Sequence, residues 1–312
     1  MLVGVRGARR ALLPALAAFL LVACNGDTGT STGTSAAQLT AQEVNGPRAG
    51  GNVATDGLNW INYRRVQAGL SAAQRDARID RAATAHANYQ QQNNLVTHDE
   101  DRSKTGFTGV TPSARLIAAG YPLDADAIAD GEVIAATAEP DGFAAAEGLM
   151  GAIYHRYLML EPSFDLAGSG SAHRAGGYDW LNVNFVATRG SSGLGTGRIV
   201  VWPVADQRKV RTSFLSDEET PDPVAGQNEV GYPVSVHADI GTILQVARFA
   251  MRERGGAELP VRLLEHRSDS ETPASAAAII PLSPLRAGTI YDVEFSGAAD
   301  GTPVTRNWSF ST

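Results

Sequence analysis

The spacing of apolar positions changes partway along this chain. From Leu58 to about residue 160 they recur at intervals of three and four, the spacing of helices, and beyond residue 163 they alternate in short runs. Leu58, Ile61, Asn62 and Arg65 mark a first helix; Ile79, Ala82, Ala83, His86 and Gln90 give a second one a small, apolar face. Small residues on that face predict close docking against a core, with His86 a satisfied core histidine. Asn93-Asn94 breaks the second helix, Thr111-Pro112 starts a short third, and Phe143 to Leu160 reads as a fourth.

Two paired strands are predicted at 163–173 and 178–187 around the turn Ala175-Gly176-Gly177, supplying the antiparallel sheet of an α/β/α sandwich. From residue 199 every signal is for strands: 199–202, 232–238, 244–251, 261–265, 277–282, 290–295 and 304–311. Tyr291, Val293 and Phe295 share one face, as do Trp308 and Phe310, and Asp300-Gly301 marks the turn between the last two strands. The fold class is therefore α/β followed by a small all-β sandwich. The expected boundaries are 53–190 and 199–312, two independently folding units joined through the Gly-Ser-rich stretch at 190–197.

The first 24 residues read as an address. Arg6, Arg9 and Arg10 form a basic region, Ala11 to Leu21 an apolar one too short to span, and Leu21-Val22-Ala23-Cys24 a cleavage site ending in cysteine. This is the pattern of a bacterial lipoprotein signal, and Cys24 is the sole cysteine of the 312-residue chain. It predicts an exported envelope protein held to the membrane through a lipidated Cys24. Residues 25–52 are rich in Gly, Ser and Thr, with Leu39 and Val44 the only large aliphatics in 25–50, and predict a flexible tether.

Charge narrows the partners. A net charge of −7, with no basic cluster beyond Arg64-Arg65, argues against nucleic acid. No Walker loop, HExxH, GxSxG or dinucleotide fingerprint is present, and a lipidated Cys24 leaves no thiol nucleophile.

Three polar residues in apolar surroundings stand out: His98 after the second helix, Glu132 within Gly131-Glu132-Val133-Ile134, and His155 within Tyr154-His155-Arg156-Tyr157-Leu158. Two imidazoles and a carboxylate are the ligand types of an open zinc site, and they equally suit a base and orienting groups on a bound water. An ionisable group among apolar neighbours must be paired, so the three are expected to line one cavity. Asp99-Glu100-Asp101 reads as a solvated turn with some capacity for calcium. His173 is expected exposed near the hairpin turn, and His237 and His266 belong to the strand-rich half.

These residues carry a resemblance. NYRRVQAGL at 62–70, the small-residue helix leading to His98, GFTGVTPSARLIAAGY, GEVIA and YHRYLML resemble the bacterial form of the CAP superfamily, which comprises cysteine-rich secretory proteins, antigen 5 and pathogenesis-related proteins. The likeness covers about residues 56–190 and implies a CAP-type α/β/α sandwich. It also implies that His98, Glu132 and His155 occupy the family's cavity positions, with zinc a possible occupant. Val133 stands where that family commonly has asparagine, and Leu149 and Ala152 where it has tryptophan and serine. Its second cavity glutamate has no clear counterpart, although Glu147 is near in sequence. PLSPLRAGTIYDVEFSG and DGTPVTRNWSFST resemble a bacterial immunoglobulin-like module, implying a spacer or adhesive scaffold. The superfamily spans binding and other roles, so the resemblance implies a non-catalytic module for a lipid, glycan or protein ligand, with a metal-dependent hydrolase or protease as the alternative.

Overall fold

The computed structural model describes residues 45–312 together with the backbone of 19–22. Cys24 and most of the expected tether lie outside the described residues. The N-terminal half runs β1 (Phe19–Val22), α1 (Val53–Gln67), β2 (Gln74–Arg75), α2 (Ala77–Asn93), α3 (Pro112–Ala118), α4 (Leu123–Asp126) and β3 (Ala127–Thr137). It closes with α5 (Gly142–Gly151), α6 (Ile153–Met159), β4 (Leu166–His173) and β5 (Asp179–Thr188). The remainder is strands: β6 (Val200–Trp202), β7 (Ser213–Leu215), β8 (Glu219–Thr220), β9 (Glu229–Gly231), β10 (Val234–His237), β11 (Leu244–Glu253), β12 (Val261–Glu265), β13 (Ala276–Pro281), β14 (Ile290–Ala299) and β15 (Thr302–Ser311).

Local chemistry sets the helix ends. The Asp76 carboxylate accepts from the Arg78 N–H at the start of α2, and Asn94 closes that helix in the left-handed region at φ 52°. Thr111 caps α3, with Pro112 in the first turn where its missing N–H costs nothing. The small face of α2 docks as its composition predicts. β4 meets it with bare backbone: a Cβ on Gly170 would fall 2.1 Å from the Thr84 nitrogen, and one on Gly168 2.3 Å from that of Asp80.

The main sheet has the order β2-β4-β5-β3-β1-β8, with β4, β5 and β3 antiparallel neighbours and β1 parallel to β3. The second half packs a four-stranded sheet, β12-β13-β10-β6, with a three-stranded sheet, β11-β14-β15. Tyr291, Val293, Phe295, Trp308 and Phe310 turn inward as their alternation requires. The chain is thus an α/β unit followed by a β sandwich. All seven strands expected beyond residue 199 are present; the short hairpin of β7 and β9, and β8, carry no alternating pattern long enough to show in the sequence.

One expectation is corrected. The fourth helix is two helices, because Ala152 takes an extended conformation at φ −75°, ψ 123°. Alanine has no side chain with which to cap α6, so the cap comes from afar: the Glu219 carboxylate accepts from the N–H groups of Ile153, Tyr154 and His155 at 2.9, 2.7 and 3.2 Å. The two halves are also in contact. One apolar core runs through both, from Trp60 and Leu149 to Trp202, Val234 and Phe295. Buried Arg156 of α6 donates to the Pro233 carbonyl at 2.7 Å, and the stretch at 190–197 is pinned where Leu194 and Gly195 N–H groups donate to the Asp239 carboxylate.

Candidate functional site

The packed face of α2, the loop behind it, α3, β3 and β5 converge on a buried ionic cluster. Glu132 lies on β3, wholly buried. Its Oε1 accepts from His98 Nδ1 at 2.9 Å and from Arg115 of α3 at 2.9 Å; Oε2 accepts from Arg115 at 3.0 Å and from Asn184 Nδ2 of β5 at 3.1 Å. A second nitrogen of Arg115 donates to the His98 carbonyl at 2.8 Å, so one guanidinium fixes both the carboxylate and the loop carrying the histidine.

Glu100 forms the other half. It turns inward, 3 % exposed, and accepts from the Thr108 N–H at 2.5 Å, the Gly109 N–H at 3.1 Å and His86 Nδ1 at 2.9 Å. His86 donates from Nε2 to the Thr97 carbonyl at 2.7 Å. Both imidazole nitrogens therefore face oxygen atoms of the protein. The expectation of a solvated acidic turn is corrected at Glu100, which the Thr108-Gly109 backbone draws into the core.

The electrostatics follow from burial against pairing. Burial alone would raise the Glu132 carboxyl, but Arg115, His86 and His98 outweigh it and hold it below the usual carboxylate range. Burial likewise works against ionised Glu100 and is overcome by His86, the Thr108 and Gly109 amides and Arg115. Asp130, two positions along β3, moves the other way: burial raises it, helped by the charge of Glu132 against the hydrogen bond from Ser113.

His98 and Glu132 come together; His155 takes a different partner. Its Nδ1 lies 2.9 Å from Glu219 Oε1, and among the described residues it has no ion pair with Glu132. The expected trio is thus seen as two pairs, His98–Glu132 and His155–Glu219. The residues adjoining them are neighbours of β1: Val133, next to Glu132, pairs with Phe19, and Glu219 itself pairs with Leu21. Glu147 joins neither pair, accepting instead from Trp60 Nε1 at 2.7 Å and Arg64 Nε at 2.9 Å. His173 is exposed and bonded to Asp179, while His237 is buried beside the Tyr157 ring.

This geometry does not fit zinc on His98, Glu132 and His155. Both oxygens of Glu132 are spent on Arg115, with His98 and Asn184 each taking one more bond, and a cation there would sit against the guanidinium. Among the described residues no group of three His, Cys, Asp or Glu side chains is arranged to hold a metal ion, the turn Asp99-Glu100-Asp101 included. Two polar atoms beside the cluster lack partners among the described residues: Asn182 Nδ2 and Asn184 Oδ1, both buried.

Sequence reading missed Arg115, Glu100, Asn184 and Glu219. Arg115 alone left a signal, an arginine among Ala114, Leu116 and Ile117 in a helix of seven residues.

Residues 58–187 match the family described as CAP, cysteine-rich secretory protein family. A solved structure of an extracellular protein containing a SCP domain from Bacillus anthracis str. Ames is similar at 25% identity and a TM-score of 0.35, covering 43% of this chain and 40% of that one. An outer surface protein from Borrelia burgdorferi is similar at 17% identity and a TM-score of 0.35, covering 42% of this chain and 90% of that one. This chain therefore spans less than half of the Bacillus protein, and no curated protein matches it. The helices, the sheet and the family match fall on the same stretch, so residues 58–187 of this chain form a CAP domain.

Proposed function

We propose that the CAP domain is a non-catalytic binding module for a lipid, glycan or protein ligand at the surface of the cell envelope, exported and held there through a lipidated Cys24. The observation that carries the binding role is the saturation of Glu132. A general base needs a free lone pair and a catalytic metal needs ligands not already bonded, and this carboxylate is bonded on both oxygens by Arg115. Beside it lie a buried donor and a buried acceptor, Asn182 Nδ2 and Asn184 Oδ1, with buried His98, and these suit an enclosed polar group or water. Support for export and anchoring is the basic, apolar and Leu21-Val22-Ala23-Cys24 sequence. The β sandwich, immunoglobulin-like in its final strands, serves as spacer or scaffold.

A native mass spectrum of the purified mature protein tests the reading, with an organic ligand expected to be retained. Zinc-dependent peptide or ester hydrolysis that disappears in His98→Ala and His155→Ala would replace it with the hydrolase. For the anchor, Cys24→Ser should move the protein from the membrane fraction to the soluble one; continued membrane association refutes lipidation.

A further inference from the structure

Strand β1 lies inside the main sheet, between β3 and β8. Its backbone is paired on both sides: Phe19 to Val22 run parallel to Val133 to Ala136 of β3, while Leu20 and Leu21 lie antiparallel to Thr220 and Glu219 of β8. A sheet can be extended at a free edge, but here the added strand fills an interior position with a ladder on either hand. The same four residues lie in the leader that the sequence marks for removal before Cys24. Once they are gone, β3 and β8 are left as two strand edges one strand apart, with backbone donors and acceptors facing across the gap. With β1 in place Val133, Ile134, Ala135 and Ala136 are all buried, and backbone groups among such apolar neighbours are costly to leave unpaired.

We propose that in the mature protein this slot accepts an extended, apolar peptide segment of a partner protein as an added strand. The inference rests on the binding-module reading and on leader removal, and it names the ligand class. The register fixes the mode. The peptide runs parallel to β3, its main chain bonded to both edges, and its side chains alternate between two layers as those of β3 do. On β3, Val133 and Ala135 join the core shared with α5 and α6, and Ala136 packs with Ala87 and Trp180. Uncharged side chains suit both layers.

The chain offers no substitute from within. Residues 25–50 hold only Leu39 and Val44 as large aliphatics and no apolar run of four. A second copy is no better placed: the large apolar side chains exposed among the described residues, Val66, Ile117, Ile243 and Ile290, lie singly. The slot also adjoins both ionic pairs, since Glu132 precedes Val133 and Glu219 is itself part of the β8 edge. A peptide there would bridge the two halves of the site.

The test is hydrogen exchange on the mature protein with Cys24 intact, purified in detergent and its N-terminus first fixed by intact mass, with and without a synthetic peptide containing AFLLVA between solubilising lysines. Amides of 133–136 and 219–220 should exchange about tenfold more slowly with peptide present. The same peptide N-methylated along its backbone should give no protection, because it keeps its side chains and loses its ladder. The proposal is overturned by an absence of peptide-dependent protection at millimolar peptide, by equal protection from the N-methylated form, or by amides already protected in the mature protein alone. Concentration-dependent dimerisation that protects them assigns the slot to a second copy and overturns it equally. Retention of residues 1–23 in the intact mass also defeats it. None of these outcomes touches the binding-module reading, which stands or falls on the ligand retained in the native spectrum and on the absence of zinc-dependent hydrolysis.

Discussion

Glu219 and His155, 64 positions apart in sequence, are joined by a 2.9 Å hydrogen bond at the start of α6. The same carboxylate caps the helix, so it ties the strand-rich half to the CAP domain through one buried group. Glu219→Ala removes the acceptor for three helical N–H groups and the imidazole at once. The expected loss is about 3 kcal/mol, the upper range for leaving buried donors without their acceptor, read as a lowered urea midpoint with unchanged slope. Glu219→Gln keeps one acceptor oxygen and should lose less.

Removal of Glu132 takes from buried Arg115 its nearer carboxylate. Glu132→Ala is expected to cost about 3 kcal/mol, because the guanidinium then keeps only Glu100, 3.9 Å away, as a counter-charge. The double variant with Arg115→Met should recover part of that loss; a double variant as unstable as the sum of the two singles would show that the pair is not coupled.

Acid should act on the same cluster. The carboxyls of Glu132 and Glu100 are both held below their ordinary range in the folded protein. A depressed folded value gives stability that is present above the unfolded pKa, about 4.3, and is lost as pH falls through the folded one. Denaturation followed from pH 6 downwards should therefore show stability declining below about pH 4.3, and Glu132→Gln should flatten that decline.

Glu161 works in the opposite sense. It is buried where the two halves meet and accepts from the Ser163 and Ile240 N–H groups at 3.0 and 2.8 Å. Burial pushes its carboxyl up to about 7, against those amides and with Asp239 adding to the rise. A raised folded value means stability fully present below the unfolded pKa of about 4.3 and lost as pH rises through about 7. The urea midpoint should fall between pH 5 and pH 8, and Glu161→Gln should remove that slope; a slope unchanged in the variant assigns the proton to another group.

The shared core makes a prediction about fragments. Expressed alone, residues 53–190 lose the Pro233 carbonyl from Arg156 and the Glu219 cap, and expose apolar surface now covered by the sandwich. The full chain should unfold in one transition, and the isolated fragment should bind a hydrophobic dye or aggregate.

The fold was legible wherever one face of an element is buried. Alternation in β14 and β15 and the small face of α2 each report a packed side directly. Asn93-Asn94 and Thr111-Pro112 marked helix ends because capping is chemistry within a few residues. The break at Ala152 was not legible, since its cap comes from Glu219 and no local residue announces it. The site divides the same way. His98 and Glu132 stood out as polar groups among apolar neighbours, whereas Glu100 sits between two aspartates and is set apart only by the backbone of Thr108 and Gly109 closing over it. Asn184 lies in an apolar strand where an asparagine could equally have met solvent.

The bare contact of Gly168 and Gly170 with α2 has a further consequence. Helix and strand already touch backbone to backbone, so no smaller residue remains by which α2 can sink deeper, and any methyl added to β4 forces it outward with His86 aboard. The floor under the ionic cluster is therefore incompressible from the sheet side. Changes in the size of what this domain holds fall on the loop between Asn94 and Thr111, a boundary of the cluster that lies between helices and outside the α2–β4 contact.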